Sequence, residues 1–175
     1  MFVTDLTNNL IIRREEECFD GPITRIVFFP PSSNLQEQDG IKVLVLSSLS
    51  MSKVFYNVLE DGLHNYVELP DSDEYDVPTS CVLSDIDFDG NYEIILGTYG
   101  EMILVYKSQR NDNDKETWSL IWEKCFNSPI HSIFEMDLTQ DGIKELILVT
   151  LNSVIVLQHD HDMVRQRLQA LIKES

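Results

Sequence analysis

The sequence feature that most constrains the fold is an internal repeat. The segment SDIDFDGNYEIILGTYGEMILVYK, which begins at Ser84, aligns with MDLTQDGIKELILVTLNSVIVLQH, which begins 52 residues later at Met136. CFDGPITRI from Cys18 also resembles CFNSPIHSI from Cys125, 107 residues or two periods later. A more divergent copy of the unit, QDGIKVLVLSSLSMSKVFYN, begins at Gln38. Units of this length match the ~40–50 residues of a four-stranded β-propeller blade.

Short runs within each unit are typical of buried β-strands. IKVLVLSS, YEIILGTY and KELILVTL are rich in β-branched residues and bounded by turn residues, and a second apolar run follows each of them. Turns at 99–100 and 151–152 are expected to join the runs, because Gly and Asn tolerate the positive φ of hairpin turns. In the middle unit, a polar loop over 108–116 is expected to precede a fourth strand over 118–126.

The repeat therefore predicts an all-β fold, a partial β-propeller of about three four-stranded blades plus a partial one. The predicted blade units are residues 1–18, 19–70, 71–126 and 127–159, and the first of these is the final hairpin of a preceding blade, with its turn at 7–9. A fourth strand is not obvious after His159. Because a closed propeller needs about 4–8 blades, we expect a fragment, a truncated gene model or part of a larger propeller.

The last segment differs in character and predicts a short amphipathic helix over 160–175. Four apolar residues lie on one helical face: Val164, Leu168, Leu171 and Ile172. We expect this helix to pack on its own domain, although docking to a partner is the alternative.

Charge and motif content exclude several classes of function. Acidic residues outnumber basic ones by 30 to 13, and the net charge of −17 opposes binding to nucleic acid or to an anionic membrane surface. The sequence lacks an apolar run near the ~20 residues of a membrane helix, and its N-terminus does not resemble a signal peptide. An odd count of three widely spaced cysteines suits reduced thiols in the cytoplasm. GxSxG, HExxH and Gly-rich phosphate motifs do not occur, so we expect no enzyme activity.

Two acidic loops are the strongest chemical motif. The first reads Asp85-x-Asp87-x-Asp89-Gly90-x-x-Glu93, and alternating carboxylates in a tight loop are suited to a hard cation such as Ca²⁺. The candidate structural calcium ligands of this loop are Asp85, Asp87, Asp89, Asn91 and Glu93. An EF-hand is excluded because its twelfth position would be Leu96, so the loop resembles the FG-GAP type of integrin-α-like blades. The alternative is an Asp-Gly turn whose carboxylates accept backbone N–H groups.

The other copies of the loop are weaker. The second loop has Thr in place of one carboxylate, and its candidate ligands are Asp137, Thr139, Asp141 and Glu145. The first unit keeps only Asp39-Gly40, with Leu35 and Val43 at two ligand positions, so we expect it to bind no metal.

Several blocks together resemble the C-terminal half of kaptin-family proteins, over residues 19–159. These blocks are DGPITRIVFF, LPDSDEYD, SDIDFDGNYEIILGTYGEMILVYK and the run from CFNSPIHSIFEMDLTQDGIKELILV through LQH. The resemblance implies a scaffold subunit of KICSTOR, which recruits the GATOR complex to lysosomes and restrains target-of-rapamycin signalling when nutrients are scarce. It also implies another FG-GAP propeller protein as the direct partner, and a cytoplasmic, lysosome-associated location.

Two other functions stay open. Kaptin-family proteins are also known as actin-associated, so the first alternative is an actin-filament-binding protein of the actin-rich cytoskeleton; the acidic charge opposes it because filaments are also acidic. The second alternative is a calcium-stabilised adhesion propeller similar to integrin α, which the absence of a signal peptide and the odd cysteine count oppose.

Overall fold

The computed structural model describes residues 2–5, 10–30, 40–110, 116–160, 164–165 and 169, with side chains described from residue 15 onwards. These ranges contain thirteen β-strands in four sheets. The predicted all-β fold class is confirmed, and the sheets are compatible with a partial β-propeller. The chain divides into two compact units, Met1–Pro78 with Ser108–Leu120, and Thr79–Lys107 with Ile121–Ser175.

The first two sheets lie near the N-terminus. The first sheet is the hairpin of β1 (Phe2–Asp5) and β2 (Leu10–Arg14). Its predicted turn at 7–9 lies outside the described residues. The second sheet has the order β3-β4-β5-β6, formed by β3 (Ile23–Phe28), β4 (Val43–Ser47), β5 (Lys53–Phe55) and β6 (Tyr66–Glu68).

The remaining two sheets carry the repeat from which the acidic loops were identified. The third sheet has the order β10-β9-β8-β7, formed by β7 (Pro78–Ser84), β8 (Glu93–Thr98), β9 (Met102–Arg110) and β10 (Glu116–Cys125). The fourth sheet has three described strands in the order β11-β12-β13, formed by β11 (Ile130–Met136), β12 (Glu145–Thr150) and β13 (Val154–Leu157).

The second strand of each four-stranded sheet is buried along its whole length. Every residue of β4 and of β8 is buried, which explains why these strands read as continuous apolar runs rather than alternating ones. In the second unit, the core joins Ile95, Ile103 and Val105 of the third sheet to Ile130 and Leu148 of the fourth. The charged exception in β8 is Glu93, at its first position, and this residue leads to the candidate site.

Two local predictions are wrong. The polar segment over 108–116 is not all loop, because β9 continues to Arg110 and β10 begins at Glu116. There, the Thr117 hydroxyl donates a hydrogen bond to the Gln109 carbonyl at 3.2 Å, so polar residues extend the hairpin into solvent. The positive φ expected at the hairpin turns is also misplaced: between β8 and β9 it falls on Glu101, at 68°, and not on Gly100, and between β12 and β13 it is absent from Asn152.

A C-terminal helix is not seen as an element of the described chain. Most of the predicted helix over 160–175 lies outside the described residues; past Asp160, Val164, Arg165 and Gln169 are described and have helical backbone. The Val164 amide donates to the Asp160 carbonyl at 3.0 Å, which is one helical turn. The described part of the chain contains no helix with the length and hydrophobicity to span a membrane.

Candidate cation site in the Asp-Gly loops

The two acidic loops have the same backbone conformation. Residues 85–92, the first loop, connect β7 to β8, and residues 137–144, the second loop, connect β11 to β12. The fourth and sixth residues of each loop have positive φ, namely Phe88 (59°) and Gly90 (90°), and Gln140 (58°) and Gly142 (89°). The glycine at the sixth position removes the steric penalty that a side chain would bring to this conformation.

The first aspartate of each loop closes its turn. Asp85 accepts hydrogen bonds from the amides of Asp89 (3.0 Å) and Gly90 (2.9 Å). Asp137 accepts the matching pair, from the amides 141 and 142, at 3.2 and 3.0 Å. This is the geometry of an Asp-Gly turn, in which carboxylate oxygens replace water at backbone N–H groups.

The other carboxylates of the first loop converge on a lysine. Oxygen atoms of Asp85, Asp87 and Asp89 all lie within 4.8 Å of one another. The Nζ atom of Lys107, which reaches the cluster from β9, donates to Asp87 and lies 2.6 Å from Asp89 Oδ2. It also lies 3.2 Å from Glu93 Oε1. Three carboxylates therefore surround one ammonium group.

Glu93 is the deepest member of the cluster and is fully buried. Its Oε2 atom accepts a hydrogen bond from the Ile86 amide at 3.0 Å. Its Oε1 atom has no hydrogen-bond partner among the described residues and faces only the Lys107 ammonium as a cation. Burial raises the pKa of Glu93, with the nearby charge of Asp87 acting in the same direction.

The ion pairs also shift the pKa values of Lys107 and Asp89. Burial opposes the charge of Lys107, but its bonds to Asp87 and Asp89 outweigh this and raise the lysine pKa above its ordinary value of 10.5. Burial likewise disfavours the charge of Asp89, but the bonds from Lys107 and from the Asn91 amide hold the aspartate pKa below its ordinary 3.8. Both shifts favour the charged forms, so Lys107 and Asp89 are a charged pair at neutral pH.

In the second loop, neutral hydrogen-bond donors and not a lysine stabilise the buried glutamate. Glu145, which is also buried, accepts a hydrogen bond from the Leu138 amide at 2.7 Å and from the Thr139 hydroxyl at 3.0 Å. The Leu138 and Thr139 bonds, with a further bond from Gln158, lower the pKa of Glu145. Thr139 stands where the first loop has Asp87, and it can donate where an aspartate cannot.

The other candidate ligands take part in hydrogen bonds that involve the backbone of the loops. Asn91 is exposed, and its backbone N–H donates to Asp89 Oδ1 at 2.8 Å. Asp141 accepts the Ile143 amide in the same way at 2.9 Å. In the first repeat unit, the Gly40 amide donates to the Asn57 side-chain oxygen at 2.8 Å, and Val43 is buried in β4. Residues 35 and 39 lie outside the described residues.

Sequence reasoning missed Lys107, although it ends the aligned repeat segment. The signal that could have revealed it is hairpin register: Ile94 pairs with Tyr106, so Lys107 is opposite Glu93. In the second hairpin, Leu146 pairs with Leu157, and Gln158 is the first residue after β13. Carboxylates are suitable ligands for a hard cation, but in the first loop an ammonium group stands among them.

Comparison with known proteins identifies a family and a relative. The family model described as KICSTOR complex protein kaptin matches residues 1–169. A mouse (Mus musculus) protein named KICSTOR complex protein kaptin is 36% identical over 145 residues, which cover 80% of this chain and 34% of the mouse protein. The chain thus spans about a third of the length of that relative. The resemblance seen in the repeat blocks is confirmed, and the chain belongs to the kaptin family.

Proposed function

We propose that this chain is a non-catalytic protein-interaction subunit of a KICSTOR-type assembly. We further propose that it acts there in nutrient-sensitive negative regulation of target-of-rapamycin signalling, in the cytoplasm and at lysosomes. Membership of the kaptin family carries this proposal, because both the family description and the name of the mouse relative specify a protein of the KICSTOR complex.

An exposed apolar sheet face supports an interaction role. In the fourth sheet, Phe134, Val154 and Val156 are 52%, 66% and 45% exposed. The strand register places Phe134 and Val156 in one row with Ile147 between them, so these side chains share a face. Contiguous exposed apolar surface of this kind is a frequent mark of a protein-interaction site.

The repeat indicates what covers such a face. Ile103 and Val105 hold the positions in the third sheet that Val154 and Val156 hold in the fourth, and they are 0% and 4% exposed. They are buried because the next sheet packs on them through its isoleucine and leucine side chains. We therefore propose that the face of the fourth sheet receives a β-sheet of the same repeat type, supplied by another FG-GAP propeller protein. Contact with the GATOR complex is then indirect.

Affinity purification of the tagged chain from cells, followed by mass spectrometry, tests both steps. We expect KICSTOR-type and GATOR subunits with the wild type and with Leu49→Glu, a control at another exposed residue. We expect Val154→Glu to lose them while its melting temperature stays that of the control. Retention of all partners by Val154→Glu would refute the proposed face.

The same experiment separates the alternative functions. Recovery of actin and its regulators without KICSTOR-type subunits would reject the scaffold and support the actin-binding alternative, to be checked by sedimentation with filaments. Recovery of calcium-dependent surface ligands instead would support the adhesion propeller.

A further inference from the structure

We propose that Lys107 is the built-in cation of the first loop. Its ammonium group occupies the position at which a divalent ion would bind, so the loop closes without metal, and removal of the ammonium opens a site for a hard divalent cation. This inference concerns the loop alone and is independent of the proposed function.

The geometry around Lys107 is that of a bound cation. An ammonium group donates three hydrogen bonds, and three carboxylates lie around Nζ, those of Asp87, Asp89 and Glu93. Glu93 makes this more than an acidic surface cluster. It is fully buried, and its Oε1 atom points at the ammonium with no hydrogen bond from another described residue. A buried carboxylate oxygen in this state keeps its charge only with a cation beside it, and Lys107 provides that cation.

The second loop is an internal comparison for the role of Lys107. The formal charge at matching positions is −3 in both loops: four carboxylates and one ammonium in the first, and three carboxylates in the second. This leaves aside Lys144, which pairs with Glu135. The additional carboxylate, Asp87 in place of Thr139, thus occurs together with the additional lysine, Lys107 in place of Gln158. The lysine supplies to Glu93 what the threonine hydroxyl supplies to Glu145.

The oxygens of the first loop suit calcium once the ammonium is gone. Two oxygens that bind one Ca²⁺ at ~2.3–2.6 Å are at most about 5 Å apart. One oxygen from each aspartate of the first loop already lies within 4.8 Å of the other two. Lys107→Met removes the charge and keeps the length of the apolar stem, so the carboxylates would be left without their cation.

Calorimetric titration of the full chain with CaCl₂ tests the proposal. We expect Lys107→Met to bind one more Ca²⁺ than the wild type, or to bind it about tenfold more tightly or better, because affinity rises with the charge of the ligand set. Lys107→Arg, which keeps the charge, should behave as the wild type. Lys144→Met is the matched control, since it removes an exposed lysine from the edge of the second loop.

Two further variants assign the binding to this loop and protect the test from a folding defect. Adding Asp89→Asn to Lys107→Met should abolish the gained binding. Lys107→Gln, which installs the residue of the second loop, is the substitute if the methionine variant does not melt cooperatively. The proposal is overturned if the wild type binds Ca²⁺ at Asp89 as tightly as the uncharged variants do. It is equally overturned if neither uncharged variant gains a site.

Discussion

Substitution of Gly97 by alanine tests the packing between the third and fourth sheets. A Cβ atom at this position would lie 2.5 Å from Ile130 Cγ2 and 3.0 Å from Ile133 Cδ1. Ordinary carbon contacts are ~3.5–4.0 Å, so the strands would have to separate by about 1 Å. The Thr79 hydroxyl resists this separation, since it lies 3.0 Å from the Gly97 carbonyl oxygen and also bonds to that of Ile130. We expect Gly97→Ala to lower the free energy of unfolding by about 1–3 kcal/mol.

Urea titration of the full chain, followed by circular dichroism, measures this loss. At this chain length, each kcal/mol should lower the melting temperature by about 2–4 °C. Ile130→Ala removes the clashing methyl group, so the double variant should lose about 0.5–3 kcal/mol less than the sum of the two single losses. Full additivity, or a Gly97→Ala chain as stable as the wild type, would refute the packing described for these two sheets.

Three other predictions concern the acidic loops. Gly90 has a φ of 90°, and no atom lies within 4 Å of an added Cβ, so Gly90→Ala should lower the free energy of unfolding by about 1–3 kcal/mol through backbone strain alone. Gly90→Asn should lower it less in the same urea titration. Equal losses in the two variants would contradict backbone strain as the cause. Thr139→Val should lower the free energy of unfolding by about 1–3 kcal/mol because Glu145 Oε1 loses a donor, whereas Thr139→Ser should be near wild type. Equal melting curves for these two variants would contradict the role of the hydroxyl. Lys107→Met should lower the free energy of unfolding, and this loss should have its full size at neutral pH. The reason is that a lysine with a raised pKa stabilises the fold fully below pH 10.5, and this stabilisation disappears as the pH rises through the raised pKa. That loss should shrink as the pH falls through the acidic range, because Glu93, whose pKa burial already raises, becomes protonated. A loss that does not vary with pH in parallel urea titrations would contradict the ion pair.

The sequence was sufficient to predict the buried strands and the positions of both acidic loops. Apolar runs such as YEIILGTY have no periodic alternation, and the structure explains this because β8 is buried along its whole length. The repeat also placed Asp85 and Asp137 at equivalent positions, where they close turns of the same shape. Local composition is informative there because the turn depends only on residues a few positions apart.

The register of the two hairpins could not be predicted by aligning the repeats residue by residue. Five residues, 98–102, separate the paired Gly97 and Ile103, whereas four residues, 150–153, separate the paired Val149 and Val154. The longer turn contains a residue of positive φ, Glu101, and the second turn contains none. Direct alignment therefore matches Lys107 with the residue at 159, while the register matches it with Gln158. A one-residue difference in a turn decided which side chain reaches the buried glutamate.

Polarity was a poor guide to where strands end. The residues after position 107 read as a loop because they are polar, yet β9 extends to Arg110. A strand that leaves the core can keep its pairing while both of its faces are wet, since the hydrogen bonds of the ladder belong to the backbone. Here the Thr117 hydroxyl adds a side-chain hydrogen bond to the Gln109 carbonyl beyond the buried part of the sheet.

The acidic loops also show why an Asp-Gly motif alone does not identify a metal site. Each aspartate at the first position already accepts two amide hydrogen bonds, so its presence is explained by the turn. The informative atom is the second oxygen of the buried glutamate, which in Glu145 accepts a hydroxyl and in Glu93 accepts no hydrogen bond from the described residues. Only in the second case does the oxygen face a cation, and the hairpin provides that cation from its opposite strand. In each loop that oxygen therefore meets a group of the chain itself, the Thr139 hydroxyl in the second loop and the Lys107 ammonium in the first.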